Sequence, residues 1–206
     1  MKEQTLNSVL IGSAGLKNFS FLVALALALL LTVTLSFAPE ASARSNETEL
    51  QRLSLAYKKL RARPLNPAYK AEYFDAFPQN SKQFKRLFES NGFAGKEATQ
   101  NYLFQLEYLL DNHSNAVLER LISLAAQLKL DSAAAQTAQL ILIKIALNYS
   151  KQFAAQFSSL ASGKQKAVAH FMTEGKKGPP SGVSSLVALL RRTNHTAVAN
   201  RLEAAL

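Results

Sequence analysis

Two carboxylates stand three residues apart in the segment Pro67–Pro78: Glu72 and Asp75, with Tyr69, Tyr73, Phe74 and Phe77 around them. On a helix, residues at that spacing share a face. Paired carboxylates are the equipment of glycan hydrolysis, one serving as acid and the other as base or nucleophile. Glu72 and Asp75 are therefore the catalytic candidates this chain offers. A plainer reading competes: the rings pin a short helix to the core, the acids face water, and Asp75 hydrogen-bonds locally near the helix end.

Other reactive constellations are missing from the sequence. The histidines are His113, His170 and His195, and none has a second histidine at ligand spacing. There is no HExxH, no GxSxG elbow and no GxGxxG. Ser162-Gly163-Lys164 lacks the upstream glycine and the following hydroxyl residue of a phosphate loop. Without cysteine, thiolate metal sites and disulfides do not arise. No metal and no cofactor are expected. His170 precedes Glu174 by four residues, a spacing that allows a side-chain pair, and His113 reads as a loop residue.

Cations form the second group of candidate site residues. Lys58, Lys59, Arg61 and Arg63 cluster where the first helix should end, a position that also complements the helix dipole. Lys82, Lys85 and Arg86 form another group, and Lys176, Lys177, Arg191 and Arg192 surround the Pro179-Pro180 loop. The net charge is +10, unevenly spread. Residues 44–113 hold eleven basic and eight acidic side chains; residues 114–206 hold eleven basic and four acidic, with no acid between Ser132 and Thr173. Such an excess attracts anionic surfaces by steering and local concentration. The partners it implies are an acidic protein or an anionic envelope surface. Nucleic-acid motifs are absent, and nucleic acid is not expected as a target.

The delivery of this domain is written upstream of it. Phe21 to Leu31 carry no polar side chain, and Pro39 and the small residues Ala41-Ser42-Ala43 follow. An apolar run closed by small residues is the form of an export signal, here cut after Ala43. Residues 1–43 are thus expected to be a signal peptide and residues 44–206 the folded domain, periplasmic or secreted. The alternative is an uncleaved inner-membrane anchor, since the stretch from Phe19 to Ala38 is long enough to span a bilayer. Membrane contact would then run only through that segment.

The elements that must position these side chains are helices. Leu50, Leu53, Tyr57 and Leu60 recur at helical steps, after an Asn46/Glu49 capping pair, until Pro64 and Pro67 end the run. A short helix over Ala68–Ala76 follows, then one capped by Asn80 with Gln83 and stopped by Asn91-Gly92. A long helical pattern begins near Glu97, breaks at Asp111–Ser114 and resumes behind a Ser114 cap. Asp131 should cap a helix running to Asn148, apolar on nearly every side and hence central, with Lys144 reaching solvent by its stem. Ser150 starts the next helix and Gly163 closes it. A short helix around Val168–Met172, the loop Gly175–Gly182 and two final helices complete the chain. No period-two alternation competes. The fold expected is all-α: one bundle of about eight helices.

The run Tyr73-Phe74-Asp75-Ala76-Phe77-Pro78-Gln79-Asn80, followed by Phe84, Leu87 and Phe88, resembles a YFDAFP-type pattern of small exported bacterial proteins of unknown function. Leu130–Ala133 and Gly175 with Pro179-Pro180 add to the likeness. The resemblance implies an all-helical exported domain and transfers no activity. Together these readings point to a basic interaction module. The alternatives are a hydrolase of an envelope polymer working through Glu72 and Asp75, and a membrane-tethered helical domain.

Overall fold

Helix follows helix from residue 48 onward, with no strand among the described residues. The computed structural model describes residues 48–89, 96–175 and 178–206. The proposed signal and cleavage site, the Asn46 cap, the Asn91-Gly92 stop and Lys176-Lys177 lie outside them.

The first helix, α1 (48–62), buries Leu53, Ala56 and Leu60, and packs Leu50 and Tyr57 against the same core. It ends before Pro64, which lacks an amide donor. Helix α2 (Pro67–Ala76) then starts with proline in its first turn, behind Asn66, whose side chain accepts hydrogen bonds from the Ala68 and Tyr69 amides. Helix α3 (Ser81–Phe88) is capped as its sequence predicts: Asn80 Oδ1 accepts from the Gln83 amide at 3.0 Å. The returning bond is donated by the amide of Gln79, one residue before the cap, to Gln83 Oε1.

Helix α4 (Lys96–Phe104) tightens into a 3-10 segment, Gln105–Leu109, and then becomes α5 (Leu110–Ala125). The expected break at Asp111–Ser114 is present as a kink between two helical runs. His113 has non-helical backbone angles (φ −131°, ψ 20°) inside α5. It sits at the kink, its ring stacked parallel to that of Phe74 with centroids 6.3 Å apart. The next helix, α6 (Ala133–Asn148), is capped by Ser132, one residue after the expected Asp131; Ser132 Oγ accepts from the Ala135 amide at 3.1 Å and donates to Glu89 at 2.6 Å.

Helices α7 (Ser150–Ser159), α8 (Ser162–Thr173), α9 (Val183–Arg192) and α10 (Thr196–Glu203) complete the chain. Gly163 does not close α7. Extended backbone at Leu160 and Ala161 separates the two helices, and Gly163 lies in the first turn of α8. With α1, ten α-helices occur among the described residues, some of only two turns, where about eight were expected.

Helix α6 is the hub. It touches α4, α5, α7, α8 and α9, and buries Ala138, Ile141, Leu142, Ile143, Ile145 and Ala146. Lys144 escapes to solvent, as its flexible stem allows, and pairs with Glu107 at 2.7 Å. One side of the core is aromatic. Tyr73 and Phe77 are fully buried, Phe84 meets Phe88 edge-on at 5.0 Å, and Tyr57 stacks on Tyr102 at 4.1 Å. The Tyr73 hydroxyl donates to the Tyr102 carbonyl, so the polar tip of this buried ring is satisfied. No helix among the described residues is long and apolar enough to cross a membrane.

Candidate functional site

The sequence offered two kinds of site residue, acids and cations, and the ion pairs decide what each can do. Both Glu72 oxygens are engaged by Lys59 Nζ, at 2.6 and 3.0 Å, across the α1–α2 junction. Asp75 is exposed and lines a separate small pocket of about 90 Å³ with Glu49, Arg52 and Gln83. Glu72 is not among the residues of that pocket. The two carboxylates share a short helix, yet one is committed to a lysine and the other opens onto a different surface. The surrounding rings anchor the helix: Tyr73 and Phe77 are buried, and Tyr69 and Phe74 pack against the core.

Behind Asp75 lies Arg120, a residue the sequence did not single out. Its guanidinium sits over the Phe74 ring, 4.5 Å from the centroid, and donates to the carbonyls of Phe77 at 3.2 Å and Pro78 at 3.5 Å. Burial pulls its pKa below the usual arginine value, against the opposing pull of Asp75 and Glu119. Arg120 is therefore a clasp between α5 and the end of α2. Lys70 is a second hidden cation, 3% exposed and paired with Asp111 at 3.5 Å.

Among the cations named from sequence, Lys59 is spent on Glu72. Lys58, Arg61 and Arg63 are exposed at the end of α1, with Arg61 lying over the Tyr57 ring at 5.8 Å. Arg86 is held by both oxygens of Glu49, at 2.8 and 2.7 Å. Arg191 pairs with Glu203 across the α9–α10 hairpin. Arg192 is exposed.

These contacts neutralise some of the cations and leave others exposed. In α1–α4 several cations are neutralised by neighbours: Lys59 by Glu72, Lys70 by Asp111, Arg86 by Glu49. Arg52, Lys58, Arg61, Arg63 and Lys82 are exposed without an ion pair to a described residue, and in α7–α10, apart from Arg191, the cations are in the same state. Lys151, Lys164, Lys166, Arg192 and Arg201 are all exposed, and none forms an ion pair with a described residue. The few acids nearby are otherwise engaged, Glu174 with His170 at 3.3 Å and Glu203 with Arg191. The four helices pack on one another, α10 against α7, α8 and α9, and α7 against α9. Residue-by-residue reading of the sequence missed Lys151, Lys164, Lys166 and Arg201. The signal that finds the three lysines is the acid-free stretch from Ser132 to Thr173, which leaves them without local partners; Arg201 lies beyond it.

Among the described residues, no group of three or more histidine, cysteine or carboxylate side chains converges as a metal site would require. No family model, curated protein or solved structure matches this chain.

Proposed function

We propose that this chain is an exported, non-catalytic helical interaction module that binds an anionic partner, either an acidic exported protein or an anionic envelope component, through α7–α10. The observation that supports this reading is the set of five exposed cations on those helices that have no ion pair with a described residue. A charge already paired at the surface contributes little further attraction, whereas unpaired charges of one sign add their fields and speed encounter. Glu72, tied to Lys59, is better understood as a structural ion pair than as a catalytic acid. The upstream apolar run and the Ala41-Ser42-Ala43 segment supply delivery, and the YFDAFP-type likeness is consistent with an exported helical domain.

The test is capture from an envelope extract with the immobilised protein. Neutralising Lys151, Lys166, Arg192 and Arg201 to glutamine should remove the captured material while the helical circular dichroism signal stays unchanged. Equal capture by the neutralised variant would refute the reading.

A further inference from the structure

From Leu50 to Ala71 the chain carries six basic residues and no acid. Leu55, Lys58 and Ala62 are exposed at helical steps, on the side of α1 opposite the buried Leu53, Ala56 and Leu60. Arg61 and Arg63 are exposed as well, and Lys58, Arg61 and Arg63 form no ion pair with a described residue. The acids that bracket the stretch are engaged, Glu49 with Arg86 and Glu72 with Lys59. Beyond α1 the chain turns tightly: the Asn66 amide donates to the Arg63 carbonyl at 3.1 Å across Pro64 and Leu65. Proline fixes its own φ, and the Asn66 side chain is held by the Ala68 and Tyr69 amides, so the turn is fixed on both sides. Leu65 stands at its tip, 82% exposed, the most of any large hydrophobic residue among those described. A leucine alone on a surface is ordinary. One held at a fixed tip within four residues of Arg61 and Arg63 has both halves of an interfacial anchor.

We infer that the end of α1 and the turn after it dock on an anionic phospholipid surface. The Leu65 side chain enters the acyl boundary, and Lys58, Arg61 and Arg63 lie at the phosphates. Leu55, on the outer face of α1, adds apolar contact. The shape of the patch selects this occupant. Leu65 projects from a turn, so a folded protein would need a matching cavity, whereas a fluid lipid surface closes around a projecting side chain. Long lysine and arginine stems reach from the apolar boundary to the headgroups, and each such cation adds to the attraction of an anionic leaflet. Because the turn is already fixed, docking costs little ordering entropy. This surface belongs to α1 and is separate from the one proposed above on α7–α10.

The chain has no tryptophan, so Leu65→Trp places a single fluorophore at the tip of the turn. Leu65 is exposed, so the variant should keep the fold, checked by circular dichroism. The full-length variant is mixed with vesicles of phosphatidylglycerol and phosphatidylcholine in equal parts, and with vesicles of phosphatidylcholine alone. On the anionic vesicles only, emission should shift to the blue and be quenched by brominated acyl chains. Leu140→Trp, on α6, controls for the affinity of tryptophan itself for interfaces, and its emission should not change. Adding Lys58→Gln, Arg61→Gln and Arg63→Gln to Leu65→Trp should weaken vesicle binding about a hundredfold, the product of three lost lipid-facing cations. Adding Lys151→Gln, Lys166→Gln, Arg192→Gln and Arg201→Gln instead should leave the blue shift at position 65 in place, which separates this inference from the reading of α7–α10. No shift at position 65, equal shifts on both vesicle types, or equal shifts from both reporters would overturn the inference. A shift with polyglutamate and none with vesicles would overturn it in favour of an acidic protein.

Discussion

Tyr73 shows how much a single buried polar tip can carry. Its ring is fully buried, and its hydroxyl joins α2 to the Tyr102 carbonyl of α4. Tyr73→Phe should destabilise the fold by about 1 kcal/mol, the net worth of one hydrogen bond, or somewhat more because the carbonyl is left unpaired; chemical denaturation measures this. Burial, reinforced by Tyr102 and Tyr57, raises the Tyr73 pKa well above the ordinary tyrosine value. The folded state therefore holds its phenolic proton at pH values where the unfolded chain releases it. The contribution to stability is intact below about pH 10 and is lost as pH climbs from there toward the raised folded value. Alkaline denaturation of Tyr73→Phe should accordingly fall less steeply above pH 10 than that of the unaltered protein. At Glu72 and Asp75 a different result is expected. Glu72→Gln with Asp75→Asn should leave capture from an envelope extract unchanged and cost about 1 kcal/mol or less, since a half-exposed ion pair contributes little. Loss of a glycan-degrading activity in that double variant would restore the hydrolase reading.

Helices obey their local signals except where tertiary contacts decide. The Asn80–Gln83 cap, the proline-terminated α1 and the hydrocarbon-clad α6 were legible, because each depends on residue types within one or two turns. The α7–α8 junction was not. A glycine reads as a helix end, but the break falls at Leu160-Ala161 through backbone angles that any residue adopts, and Gly163 needs no special conformation. The α6 cap moved from Asp131 to Ser132, where the hydroxyl caps the helix and reaches Glu89 of a distant segment at the same time. Such long-range partners are invisible to spacing. Gly182 is one of the glycines whose type matters. It enters α9 at φ 98°, and a Cβ there would meet Ile143 at 3.1 Å and Leu147 at 3.3 Å. Gly182→Ala combines a left-handed backbone with crowding against α6. Thermal unfolding should show a loss of about 1–3 kcal/mol.

At the scale of the whole molecule, sequence showed the excess of cations in residues 114–206 but not which of them were free. Pairing depends on which helices meet. Arg120, one of the cations in that excess, is withdrawn onto Phe74, and Arg191 is matched by Glu203. Lys144 reaches across to Glu107, drawing an acid from the first half of the chain to the second. Exposed cations without an ion pair to a described residue occur in α1 and α3 as well as in α7–α10, but the last four helices carry Glu203 alone as an acid; screening sets the range of their field, with a Debye length of about 10 Å at 0.1 M salt. The most direct test is the salt dependence of partner retention by the immobilised protein loaded with envelope extract. Retention at low salt with progressive release as salt rises through the physiological range is the predicted result. Failure to retain anything at low salt, or retention indifferent to salt, would contradict the assignment of an anionic partner to these four helices.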